Sequence, residues 1–204
     1  VGIYSAAFRV FAFIVMFPIT LENVLLPTLS GLFHESRRKM EAVYFRAVKY
    51  NLLLSAGLAV VAFFAAPALV DLLFPKYSQA IIVFDVMLLA LIVYGFGSGQ
   101  RSIFFAFKAQ RQFFYSFLFT LAITFAAGIP ASIMWNGVGM AGVFVSTLVL
   151  ATALRSYYIA KLDRRFRVRF HELLRVDEFD RKLLARAWQK VLHRQQPPDE
   201  AVRP

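Results

Sequence analysis

The chain has 204 residues, a formal net charge of +11, 59% hydrophobic side chains and a mean hydropathy of +0.61. One soluble core of this size could not hide so much apolar surface, so lipid is the expected solvent. There is no cysteine, which excludes a disulfide framework, thiolate metal sites and thiol catalysis.

The positive charge does not mark a nucleic-acid face. Of 23 Lys and Arg residues, 12 lie in the last 44 positions and most of the others in two short connectors. Charge placed between apolar blocks is topology charge. The chain begins with Val1, and no basic leader precedes its first apolar stretch. The start is therefore expected to be a truncation, with a missing upstream portion, and not a signal peptide.

In chain order, the apolar blocks predict five membrane helices, near Tyr4 to Leu32, Ala47 to Phe74, Gln79 to Phe105, Gln112 to Met134 and Val138 to Ile159. Gln112 to Leu154 runs 43 residues without a charge, long enough for two spans of about 20 residues. Phe74 to Ser78 is expected to turn the chain at Pro75, and Trp135 to Gly139 at an Asn-Gly pair, with Trp135 as an interface anchor. Pro18, Pro27, Pro67 and Pro130 fall inside spans and invite bends. Gly95, Gly97 and Gly99 suit close helix contact or a hinge.

Basic residues alternate between connectors. They crowd the links at 33 to 46 and 106 to 111 and the tail, while the other links hold only Lys76. The positive-inside rule places the basic links and the tail in the cytoplasm. Residues 1 to 161 thus read as the membrane domain and 162 to 204 as a basic cytoplasmic tail, its Leu162 to Phe170 segment suited to an anionic leaflet. Apolar positions from Leu173 to Val191 recur at three- and four-residue intervals, which predicts an amphipathic helix over 171 to 193.

An ionisable group at the bilayer centre costs roughly 2.5 to 3.5 kcal/mol on insertion scales, so the few inside the spans are the candidates for function. Arg9 either faces a water-filled cavity, where its planar fork would pair two phosphate oxygens, or snorkels, or pairs with Asp85. Glu22 and Asp85 are ion-coupling candidates or packing partners. Asn23 and Gln100 are candidates to line the cavity and bind cargo, and Asn51 and Ser55 share their choice between lining and helix glue. Asp71 and Arg155 sit near helix ends and read as snorkelling residues. No catalytic constellation, metal-ligand spacing or Walker-type loop occurs, so neither an enzyme, a metal nor a cofactor is expected.

The stretch Val1-Gly2-Ile3-Tyr4-Ser5-Ala6-Ala7-Phe8-Arg9, followed by Leu25-Leu26-Pro27-Thr28-Leu29-Ser30, resembles the eighth membrane helix of the multidrug/oligosaccharidyl-lipid/polysaccharide (MOP) flippase superfamily. Leu72-Leu73-Phe74 with Tyr77, and Gly137-Val138-Gly139-Met140-Ala141-Gly142-Val143, extend the likeness over about residues 1 to 160. It looks most like the polysaccharide and O-antigen branch. The resemblance implies an all-α membrane protein: five transmembrane helices of a MATE-like C-terminal lobe, here with a cytoplasmic amphipathic helical tail. It further implies a bacterial inner-membrane transporter that flips undecaprenyl-pyrophosphate-linked oligosaccharide by alternating access. Its partners would be the bilayer, that lipid-linked oligosaccharide, a missing N-terminal lobe of the same protein and other glycan-assembly proteins. Arg9 matches a cavity arginine of the lipid II flippases. A lipid II flippase or a cation antiporter of the same superfamily is the nearest alternative, and a membrane enzyme or scaffold of glycan assembly the alternative from another class. The long tail departs from the family pattern.

Overall fold

The computed structural model describes residues 2–73 and 79–167. They form α1 (Gly2–Glu35), α2 (Arg37–Leu73), α3 (Ala80–Phe96), α4 (Gln100–Ala106), α5 (Gln110–Leu162) and a 3-10 turn, Arg164–Phe166. Four segments are long and apolar enough to cross a membrane: Gly2–Glu35, Arg37–Ala68, Ala80–Ala106 and Gln110–Leu162. The chain is an all-α, multi-pass membrane protein.

The expected count of five membrane helices, and with it the five-helix lobe, is corrected to four. The segments expected as separate helices at 112–134 and 138–159 are two arms of the single element α5. Between them only Asn136 leaves helical geometry, with φ 52° and ψ −133°. A straight helix of 53 residues would reach about 80 Å, far beyond a bilayer. Instead the arms lie against each other: a side chain at Gly128 would touch Met140 Sδ at 3.5 Å, and Arg155 Nε donates to Ser116 Oγ at 3.4 Å. The turn expected at Trp135 to Gly139 thus occurs, but through Asn136 alone, so the two arms stay one element.

The expected link at 33 to 46 shrinks to Ser36, whose Oγ accepts from Lys39 N and caps α2. Residues 37 to 46 continue the helix because Met40, Tyr44 and Val48 bury one face while the charges occupy the others. The third expected helix breaks at Gly97–Gly99 into α3 and α4, and Gly99 takes φ 76°. Of the tail, the described residues contain only the 3-10 turn; the amphipathic helix expected over 171–193 lies outside the described residues.

Small residues let the backbones approach. Ala6, Ala7, Ala59, Ala62 and Ala66 interleave with Phe11, Phe84, Met87 and Leu91 in the core, and the Phe11 ring stacks edge-on to Phe144 at 5.7 Å. Asn51 Nδ2 donates to the Pro18 carbonyl at 3.2 Å, tying α2 to α1. Such bonds are weak in membranes. Asn51→Ala is expected to cost about 1 kcal/mol or less, read by reversible unfolding in bicelles.

Aromatic contacts gather three connections at one end of the bundle. Phe33 meets Phe107 at 5.1 Å, Phe166 meets both Tyr44 and Phe107 at 5.7 Å, and the Arg37 guanidinium covers the Phe33 and Phe107 rings at 3.8 and 4.6 Å. Arg38, Lys39, Lys108, Arg111 and Lys161 cluster at this same end with Arg164, Arg165 and Arg167. At the opposite end, a side chain at Gly137 would touch Val83 and Tyr4, and Arg9 is the described basic residue closest to Tyr4 along α1. The charge asymmetry anticipated along the sequence is thus an asymmetry of the folded bundle.

Candidate functional site: a charged cluster between α1, α4 and α5

Glu22 of α1 lies within electrostatic reach of two guanidiniums, Arg101 of α4 and Arg155 of α5, and of the Gly99 N–H. The break at Gly97–Gly99 releases that N–H from the helical ladder. Arg101 Nη2 donates to Asn23 Oδ1 at 2.7 Å, so adjacent α1 residues engage the same α4 side chain. Arg155 is held from its own hairpin: its Nε reaches Ser116 Oγ and its guanidinium lies 4.6 Å from the Phe113 ring centre. Gln100 Nε2 donates to the Thr152 carbonyl at 3.1 Å and to Ser156 Oγ at 2.9 Å, fixing α4 against the second arm of α5. Tyr44 of α2 and Tyr94 of α3 couple to Glu22.

Polar atoms without partners concentrate here. Ser98 Oγ, Gln100 Oε1, Arg101 Nε and Ser102 Oγ are all buried and make no hydrogen bond. Native interiors leave few such atoms. Elsewhere the hydroxyls of Thr20, Thr28, Thr120, Thr124 and Thr147 bond to a carbonyl one turn back, the usual recourse of a hydroxyl in an apolar helix. Ser98 and Ser102 do not take that recourse.

The structure therefore brings together Glu22, Asn23 and Gln100, three of the five residues singled out from the sequence. It does not bring in Arg9 or Asp85. Arg9 is exposed on α1, 13 residues from Glu22, about 20 Å of helical rise. Asp85 is half-buried on α3, and its Oδ1 has no hydrogen-bond partner, so no bond from Arg9 reaches that oxygen. Sequence reasoning missed Arg101 and Arg155 as members of the site. Arg101 fell near the end of the third expected helix among the basic residues of that region, and Arg155 read as a snorkelling residue. The signal available was the adjacency of Arg101 to Gln100 just after a glycine cluster. Among the described residues no group of three or more His, Asp or Glu side chains could hold a metal ion.

No protein family, curated protein or solved structure matches this chain.

Proposed function

We propose that this chain is part of a membrane transporter that flips a lipid-linked glycan, carried on undecaprenyl pyrophosphate, between the leaflets of a bacterial inner membrane. No covalent chemistry is involved, and the basic end of the bundle faces the cytoplasm. The observation that carries this reading is the outward face of α1. Ser5, Arg9, Thr20 and Asn23 are all exposed along it at helical spacing, with Phe13 and Met16 exposed between Arg9 and Thr20. The outward faces of the other spans are apolar: Leu53, Val60 and Phe64 on α2, and Phe117, Phe125 and Ile129 on α5. Lipid suits those faces. A stripe bearing an arginine and an asparagine suits water or a polar cargo instead. The resemblance of the same helix to that of the oligosaccharide flippases supports the choice of cargo, with Arg9 as the residue that would meet its pyrophosphate.

The test is transport by the full gene product reconstituted in liposomes, read as the rate at which a fluorescent undecaprenyl-pyrophosphate oligosaccharide becomes accessible on the opposite leaflet. Arg9→Ala is expected to slow that rate about tenfold or more, equivalent to about 1.4 kcal/mol, while Phe64→Ala on the lipid face leaves it unchanged. Transport by Arg9→Ala at the parental rate would refute the reading.

A further inference from the structure

The charges around Glu22 do not balance. Two guanidiniums face one carboxylate, leaving a formal positive charge inside candidate spans. Beside them the Ser98 and Ser102 hydroxyls and the Arg101 Nε–H are buried donors without acceptors. Ser98 and Ser102 are themselves 1% and 0% exposed. Surplus cation and unspent donors call for the same complement, an anion with several acceptor oxygens. Among the described residues of the cluster, Gln100 Oε1 is the one unspent carbonyl oxygen; a cation site would require several such oxygens and more carboxylates than arginines, which is the reverse of what surrounds Glu22.

From this we infer that the α3–α4 break, together with Arg101 and Arg155, is a binding site for a phosphate-type oxyanion. Glu22, within electrostatic reach of both arginines, acts there as a competing negative charge that the anion must outcompete. The serine hydroxyls and Arg101 Nε–H supply hydrogen bonds, and the two guanidiniums supply charge. This rests on the transport reading and deepens it: the cargo's phosphate would first be held near the basic end of the bundle, about 20 Å along α1 from Arg9. The chemistry is common to a lipid-borne pyrophosphate and to the free ion, and the experiment separates them.

The full gene product in phosphatidylcholine nanodiscs is titrated with radiolabelled inorganic pyrophosphate and, separately, with farnesyl pyrophosphate. Arg155→Gln is expected to weaken binding about tenfold, since Arg101 alone remains and is partly claimed by Glu22. Glu22→Gln is expected to tighten binding several-fold, because the competing carboxylate is gone. That opposite sign is the diagnostic, since a purely structural cluster would lose ligand on either change. Arg155→Lys, which keeps the charge and loses the fork, is expected to fall between Arg155→Gln and the parent, and it serves should Arg155→Gln not fold. Tighter binding of farnesyl pyrophosphate identifies a lipid headgroup as the ligand, and equal binding of both probes identifies the free ion. Failure of both probes to saturate, or weaker binding by Glu22→Gln, overturns the site. Lost binding with intact transport sinks this inference alone, whereas intact binding with no transport sinks the transport reading alone.

Discussion

Gly139→Ala is expected to open the α5 hairpin and to destabilise the protein by about 3 kcal/mol, the upper part of the usual range for overpacking. An added Cβ would fall on the Ala131 carbonyl oxygen and would meet the Ala131 carbonyl carbon at 2.9 Å and Trp135 Cβ at 3.0 Å. These are mostly backbone atoms of the opposite arm, which no rotamer change can move aside. The arms would have to splay, and the contacts between Gly128 and Met140 and between Ser116 and Arg155 would part with them. Gly142→Ala is the control, because a Cβ there meets nothing within 4 Å. In the same arm it should be neutral or stabilising by up to about 1 kcal/mol. The chain has no cysteine, so a Gly128→Cys, Met140→Cys pair gives a clean readout. Crosslinking is expected in the parent and in Gly142→Ala and lost in Gly139→Ala. Efficient crosslinking in Gly139→Ala would contradict the hairpin geometry.

That hairpin also marks what a sequence can tell about this fold. Apolar runs disclosed where helix crosses lipid, because each run is a thermodynamic requirement of the hydrocarbon core. The Asn-Gly pair at 136 to 137 disclosed that the last long run turns, but not how little chain the turn takes. Asn136 reverses the chain through a single residue at φ 52° and ψ −133°, a conformation set by one pair of dihedrals and invisible to a hydropathy window. At the start of α2, Arg37 to Arg46 looked like a link because its charges outweigh its apolar residues. Met40 and Tyr44 are nevertheless one turn apart and buried, which is enough to continue the helix. The glycine cluster at 95 to 99 was legible as a special place, and one of its anticipated uses, close helix contact, occurs beside a break in the helix. Gly95 admits α2 so closely that a Cβ would lie 2.8 Å from Leu52 Cα, and Gly99 breaks the helix with a positive φ.

The site divides in a similar way. Glu22, Asn23 and Gln100 stood out as polar residues within apolar runs, and a polar group in that setting has to find a partner. Their partners did not stand out. Arginine near the end of an apolar run is also what the positive-inside rule and snorkelling require, so Arg101 and Arg155 carried no distinguishing mark. Only the fold reveals that α4 and the second arm of α5 aim them at one carboxylate.

Replacing both Arg101 and Arg155 by leucine while keeping Glu22 is expected to cost about 3 to 5 kcal/mol, the penalty for leaving a buried charge without its counter-charge. Adding Glu22→Gln to that pair is expected to restore most of the loss, because what destabilises is the stranded carboxylate and not the absence of the ion cluster as such. Buried ion pairs replaced whole by uncharged groups are often neutral in stability. Asn23 would lose its 2.7 Å bond from Arg101, but it is exposed on α1, and water or a headgroup can take that donor's place. Unfolding of the parent, the Arg101→Leu/Arg155→Leu protein and the triple variant in bicelles measures the coupling directly. A triple variant no more stable than the double would mean that Glu22 does not depend on these two arginines. The charge imbalance would then lose its meaning.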